Sequence, residues 1–224
     1  MTPDPRPDLR HVDTWLFDLD NTLYPPQSGF MGEIEQRMTA FVERLTGLPR
    51  EDAYRLQKTY LADYGLTLRG LIAHHGVDPA DFHAIFHDMS LDVIAHDPVL
   101  LAGIERLPGR RLIFTNADDI HARRVLDRLG LSHLFEAIFD IAAAGYEPKP
   151  DPRTFARIVE AHAIDPARTA FFEDSPHNLA PANVLGMTTV LVGPDAPASV
   201  ATFIDHRTDN LAAFLHAAQL SETP

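Results

Sequence analysis

Short apolar runs alternate with amphipathic stretches along most of this chain, and chains of that kind fold into a parallel sheet covered by helices. The runs fall at 12–18, 111–115, 137–141, 169–173, 188–192 and 203–206, each bounded by turn or polar residues. Helical patterns lie between them. One covers 120–129 and stops at Gly130, a residue suited to the left-handed position after a helix. Phe155, Ile158, Val159 and His162 share a second helical face, a short helix at 178–185 ends at Gly186, and 210–220 reads as a terminal helix. The stretch from 25 to 96 breaks the rhythm, because it holds helical patterns and no strand. Phe30, Ile34, Met38, Phe41, Val42 and Leu45 form one stripe, and Pro49 opens a second helix reaching Tyr64. Asp78-Pro79 starts a third, with Phe82, Ile85, Phe86 and Met89 on its buried face. The expected architecture is α/β, a doubly wound, mostly parallel core from 11–24 and 97–224. A Pro- and Asp-rich flexible tail precedes it at 1–10, and a helical domain at 25–96 is inserted after the first strand.

The first run ends in Asp18-Leu19-Asp20-Asn21-Thr22, directly after Trp15-Leu16-Phe17. Carboxylates at i and i+2 on a strand point the same way. Here they face the carboxyl edge of the sheet, where ligands of open α/β folds bind. Like charges that close imply a bound metal, a raised pKa, or both. Three other strand ends carry polar groups: Thr115-Asn116 after the second strand, Lys149 after the third, and Glu173-Asp174-Ser175 after the fourth. In a parallel sheet these ends share one edge. Four carboxylates, an ammonium and a hydroxyl make chemical sense there with a hard cation and an anionic ligand. Mg²⁺ suits such oxygen donors, while Lys149 and the N–H groups after Thr115 suit phosphate oxygens.

Composition narrows the partners. A net charge of −13 lacks the basic footprint of a nucleic-acid binder. No apolar stretch approaches the ~20 residues of a membrane span, and the first ten residues contain no apolar leader segment. Without cysteine there is no thiol nucleophile, disulfide or thiolate metal site. The expectation is a cytoplasmic protein acting on a small phosphorylated metabolite. Of 19 basic residues only Lys58 and Lys149 are lysines. Prolines on both sides stiffen Lys149 within Pro148-Lys149-Pro150-Asp151-Pro152. A plain helix start, with Asp151 as N-cap and Pro152 at the first helical position, also accounts for that string.

These residues resemble the four motifs of the haloacid dehalogenase-like hydrolases, in order and across essentially the whole chain. The first is similar to Phe17-Asp18-Leu19-Asp20-Asn21-Thr22-Leu23, the second to Thr115-Asn116, the third to Lys149-Pro150 and the fourth to Glu173-Asp174. The resemblance implies a Rossmann-like core, with the helical insert as a type 1 cap. Tyr64-Gly65-Leu66-Thr67-Leu68-Arg69-Gly70-Leu71, Phe114-Thr115-Asn116-Ala117, Asn178-Leu179 and Gly186-Met187 further resemble the pyrimidine 5′-nucleotidase-like branch.

By that resemblance Asp18 attacks phosphorus and forms an aspartyl-phosphate, a known use of carboxylates. Asp18, the Asp20 backbone carbonyl and Asp174 bind Mg²⁺, with Glu173 behind them. Asp20 acts as general acid and then base, which calls for a raised pKa supplied by neighbouring carboxylates. Thr115, the backbone around Asn116, and Lys149 hold the phosphoryl charge. Asp rather than an apolar residue at position 20 favours phosphoryl chemistry over dehalogenation. The implied activity is a phosphomonoesterase acting on nucleoside 5′-monophosphates.

Glu173-Asp174 departs from the Asp-Asp of nucleotidase-like relatives and is closer to sugar-phosphate enzymes. A β-phosphoglucomutase-like mutase, a sugar-phosphate or phosphoglycolate phosphatase, and a non-catalytic phosphate-binding module are therefore the alternatives. Arg69 is a candidate for substrate contact or for a plain ion pair. His83 and His87, at i and i+4, read as a solvated helix face rather than a zinc site, and His74-His75 as loop residues.

Overall fold

A computed structural model describes residues 6–221. It forms two compact units: one runs up to Pro25 and resumes at Ala95, and the other is Pro26–Ile94. None of the helices in the described residues is long and apolar enough to cross a membrane.

The first unit is built on six strands: β1 (Thr14–Phe17), β2 (Arg110–Phe114), β3 (Ala137–Phe139), β4 (Thr169–Glu173), β5 (Thr188–Val192) and β6 (His206–Thr208). They pair in the order β3-β2-β1-β4-β5-β6, and every pairing is parallel. The order reverses between β1 and β4, the place where an open α/β sheet leaves a crevice at its carboxyl edge. In register, Phe17 lies opposite Ile113 of β2 and Phe172 of β4. Asp18 and Glu173, one position further on, therefore emerge side by side at that reversal.

All four residues of β1 are buried, as expected of a strand covered on both faces. Leu16, Leu112, Phe114, Phe171 and Leu191 pack on one side with Phe155, Ile158, Leu179 and Ala182. The last four belong to α7 (Pro152–Ala161) and α8 (Pro176–Val184). Alternate residues face the other way: Phe17 stacks on Phe172 at 4.6 Å, and Phe172 meets Phe214 edge-on. Each fully buried phenylalanine contributes on the order of 1.5–3 kcal/mol, and that anchorage fixes the strand ends that carry the polar groups.

Helix starts follow local chemistry. Asp151 accepts from the Arg153 amide, with Pro152 at the first position, so the plain helix start coexists with the placement of Lys149. Asp97-Pro98 repeats the device and opens α5 (Pro98–Glu105), which the periodicity alone does not reveal. At α6 (Asp119–Leu129) the first amide is instead capped from a distance by Asp140 Oδ2 at 3.0 Å. The last strand lies three residues later than expected, because Phe203 and Ile204 pack into the core as a turn. Helix α9 (Leu211–Ala217) ends early. Gln219 instead runs beside the start of the chain, its amide donating to Pro7 O at 2.8 Å while the Leu9 amide donates to Gln219 O at 2.9 Å. Of the flexible tail expected at 1–10, residues 1–5 lie outside the described residues. Pro7 to Leu9 correct that expectation, since the fully buried Leu9 docks the segment.

Gly109 makes the entry to β2 possible. Its φ is +80°, and a Cβ there would fall 2.1 Å from the Asp13 carbonyl oxygen, which accepts from the Arg110 amide at 2.8 Å. Gly109→Ala is expected to destabilise the protein by roughly 2–4 kcal/mol, from strained backbone and overpacking together. A urea midpoint unchanged from wild type would show that the turn relaxes freely.

The second unit contains α1 (Phe30–Thr46), α2 (Arg50–Tyr64), α3 (Thr67–His75) and α4 (Pro79–Ala84). Thr39 Oγ1 donates to Gln57 Oε1 at 2.6 Å between the first two. Tyr60 lies so close over Gly70 that a Cβ there would sit 2.3 Å from the ring. His74 and His75 close α3 rather than a loop, and each accepts or donates a hydrogen bond with a tyrosine, Tyr64 and Tyr60 respectively. Helix α4 stops at Ala84, so His83 and His87 do not share a helix face.

Candidate active site

The carboxyl edge of the sheet gathers the expected groups. The Asp18 amide donates to Phe172 O at 2.9 Å, which holds the first turn after β1 against β4. Lys149 arrives after β3 with its ammonium buried among protein oxygens. It donates to Asp18 Oδ1 at 2.7 Å, Glu173 Oε1 at 2.9 Å and Phe114 O at 2.7 Å. The rings of Phe114 and Phe171 lie 4.9 and 5.3 Å from the nitrogen, and that contact favours a cation. All three ammonium hydrogens are thus engaged within the protein. The lysine presents charge at Asp18 rather than a spare donor.

Asn116 supports this placement. Its Oδ1 accepts from the Lys149 amide at 2.9 Å, and its Nδ2 donates to Lys149 O at 3.3 Å. The Asn116 side chain is spent on the lysine backbone, and the phosphate contact expected of position 116 is with the backbone around it. Thr115 is buried, its Oγ1 accepting from the Ala117 amide at 3.0 Å, and its hydroxyl hydrogen remains for a ligand.

Asp18, Glu173 and Asp174 each offer a carboxylate oxygen within 4.8 Å of the others. This is the sole cluster of three or more His, Asp or Glu side chains at metal spacing among the described residues. Burial pushes the Asp18 carboxyl up to about 7, Lys149 pulling it down while Glu173 and Asp20 add to the rise. Burial likewise raises Glu173 and Asp174, with neighbouring carboxylates contributing. For Lys149 burial works the other way, but Asp18 and Glu173 outweigh it and hold the ammonium above its ordinary range. One cation among three such carboxylates leaves a surplus of negative charge. A hard dication fits that donor set.

Within the cluster the roles differ. Glu173 Oε1 takes Lys149 and Asn178 Nδ2, at 2.9 and 2.6 Å, and Oε2 takes the Ser175 amide at 2.6 Å. Its oxygens are committed to protein donors. Asp174 receives a long contact from Asn21 Nδ2 at 3.4 Å, and Asn21 Oδ1 is buried with no hydrogen-bond partner among the described residues. Asp18 Oδ2 accepts from Thr22 Oγ1 at 3.1 Å.

Asp20 departs from expectation. Its Oδ1 accepts from the Tyr24 hydroxyl at 2.6 Å and lies 2.9 Å from His121 Nε2. Burial pushes the Asp20 carboxyl up, but His121, by charge and hydrogen bond, and the Tyr24 hydroxyl more than offset it and hold it below its usual range. The raised pKa expected of Asp20 belongs to Asp18 instead, because a hydroxyl and an imidazole crowd Asp20 more than carboxylates do. Burial would lower His121, but Asp20, by charge and hydrogen bond, together with Asp118 raises it above its ordinary range. Tyr24 and His121 are both buried and were not singled out by sequence. The available signals were a histidine on the apolar face of α6, beside Ala122 and Val125, and a tyrosine four residues after Asp20. Arg69 lies in α3, its Nη1 donating to Tyr64 O at 3.4 Å.

Comparison with known proteins agrees with this geometry. The model of the family described as haloacid dehalogenase-like hydrolase matches residues 12–186. Phosphate metabolism protein 8 of Saccharomyces cerevisiae is 30% identical over 205 residues, covering 84% of this chain. The chain spans 63% of that relative's length. Among solved structures, a HAD phosphatase from Thermococcus onnurineus superposes with a TM-score of 0.61 at 18% identity, covering 89% of this chain and 94% of that one. CbbY from Rhodobacter sphaeroides in complex with phosphate gives 0.61 at 20%, covering 92% and 99%. L-2-haloacid dehalogenase from Xanthobacter autotrophicus gives 0.55 at 16%, covering 92% and 97%. At these identities the structural likeness speaks for the fold.

Proposed function

The chain belongs to the haloacid dehalogenase-like hydrolases, and from that membership we propose that it is a Mg²⁺-dependent phosphomonoesterase acting through an aspartyl-phosphate on Asp18, with nucleoside 5′-monophosphates as substrates. The observation that carries the reading is the buried bridge of Lys149 to Asp18 and Glu173, at 2.7 and 2.9 Å, beside an acidic cluster with surplus negative charge. Solved relatives of this fold include dehalogenases as well as phosphatases. A carboxylate at position 20, held by two side chains, favours phosphoryl transfer, because an alkoxide leaving group needs a proton and a halide does not.

Asp18 and Asp174, with the Asp20 carbonyl, would hold the Mg²⁺. When bound, the ion supplies positive charge that offsets the carboxylates and polarises the phosphoryl oxygens. Lys149 keeps Asp18 aimed and ionised for attack on phosphorus, and Thr115 Oγ1 donates to a phosphoryl oxygen. As the ester P–O bond breaks, Asp20, whose own carboxyl is held below its usual range, passes to the leaving oxygen a proton that enters with the substrate monoanion. In the second half-reaction it takes a proton from the water that attacks the aspartyl-phosphate, which regenerates Asp18 and releases phosphate. Glu173 positions Lys149 rather than meeting the metal. The helical unit we assign as the type 1 cap, and Arg69 is the residue to test for substrate choice.

The substrate reading follows the nucleotidase-like motifs at Tyr64–Leu71 and Phe114–Ala117. A panel comparing UMP and CMP with purine nucleotides, phosphoglycolate and sugar phosphates tests it, and the pyrimidine nucleotides are expected to give the highest kcat/KM. Chelation by EDTA is expected to remove turnover and added Mg²⁺ to restore it. Saturating Mg²⁺ should also raise the melting temperature by several degrees, since ligand at a hundred times its Kd adds about 2.7 kcal/mol. A chain indifferent to EDTA in both assays has no such metal site.

A further inference from the structure

Asp20 sits in the turn after β1, beyond the strand that fixes Asp18, and one residue before Asn21, whose φ is +64°. A short carboxylate in a turn is free to rotate unless its surroundings hold it. Here two buried groups converge on one of its oxygens. The Tyr24 hydroxyl donates to Asp20 Oδ1 at 2.6 Å, and His121 Nε2 lies 2.9 Å from the same atom. Asp20 Oδ2 has no hydrogen-bond partner among the described residues. The two anchors come from different parts of the fold, one in the same turn and the other on α6. The first amide of α6 is itself fixed by Asp140 after β3. His121 lies on the buried face of that helix with Ala122, Val125, Leu126 and Leu129. An imidazole there costs apolar packing, so its partner is what accounts for it.

We propose that His121 is a positioning residue for the proton-transferring carboxylate: with Tyr24 it fastens Asp20 Oδ1, so that Oδ2 is the oxygen presented to the leaving group. This rests on the phosphomonoesterase reading and adds to it the group that holds the acid in line. Proton transfer demands that alignment, and a displacement of about 1 Å in a reacting group costs on the order of 10²-fold in rate. The loss falls selectively on substrates whose leaving oxygen needs a proton.

The test follows the first turnover, before water is required, for two esters: an alkyl phosphate such as glycerol phosphate, and p-nitrophenyl phosphate, whose phenolate departs unaided. In His121→Leu, alcohol release is expected to slow about 10²-fold, while the nitrophenolate burst stays within a few-fold of wild type and KM is little changed. His121→Gln, whose amide nitrogen can take the place of Nε2, should recover most of the alkyl rate. Tyr24→Phe removes the other anchor with little change in volume and should show the same selectivity, which keeps the question open to test if the leucine variant does not fold. Equal slowing of both esters, or no slowing of either, in an active protein overturns the inference alone. A wild type inactive on both esters overturns the hydrolase reading and this inference with it.

Discussion

Asp18→Asn is expected to abolish phosphate release, by on the order of 10⁴-fold or more in kcat, without weakening the fold. Asparagine keeps the size of the side chain and an oxygen for Lys149, but it cannot form an acyl phosphate by the same displacement. Stability should hold or rise. Asp18 is buried beside Glu173 and Asp174, and its carboxyl is pushed up to about 7 chiefly by burial. Neutralising it relieves repulsion at the point where negative charge is in surplus, a common trade between function and stability. Measured together, turnover and melting temperature separate the readings. A variant that turns over normally removes Asp18 as nucleophile. One that loses activity and melts much earlier shows that Asp18 acts first as a structural partner of Lys149.

Lys149→Met should have the opposite signature, with both activity and stability falling. Its side chain is 1% exposed and holds two carboxylates. Removing the cation leaves both buried without a counter-charge, a situation that costs about 3–5 kcal/mol. For a chain of this size that is a fall of roughly 10 °C in melting temperature. Turnover should drop on the order of 10²–10³-fold, as when one fixed electrostatic group is taken from a transition state. Mg²⁺ should recover part of the lost stability, because another cation then faces the same carboxylates, but little of the activity. Lys149→Arg is not a rescue: the planar guanidinium does not fit where a compact ammonium sits between Phe114 and Phe171. A methionine variant as stable as wild type without Mg²⁺ would mean that the carboxylates take up protons at no cost.

Much of the site was legible because its residues follow strands whose apolar runs are unambiguous. Trp15-Leu16-Phe17 before Asp18 and Phe171-Phe172 before Glu173 locate two strand ends, and parallel pairing places them on one edge. What sequence could not supply is lateral order. Nothing in the runs says that β1 lies between β2 and β4, yet that placement sets Asp18 beside Glu173. Asp20 shows the same limit in reverse. The carboxylates that share its sheet edge suggest a raised pKa, whereas His121, 101 positions away, governs it through space. Helix α3 is hidden in the sequence because its nine residues give only a short amphipathic face. Helix α5 carries a plain start signal in Asp97-Pro98, but its eight residues are too few for a clear period.

The pairing of Pro7 and Leu9 with Gln219 has a mechanical consequence. The two segments run parallel, so tension drawing the outer ends apart along the chain direction loads their two hydrogen bonds in shear, both at once, rather than peeling them singly. That small clasp lies upstream of β1 and bears the pull before the strand does. Force reaching the molecule through its extremities would be spent there before it could tilt Asp18.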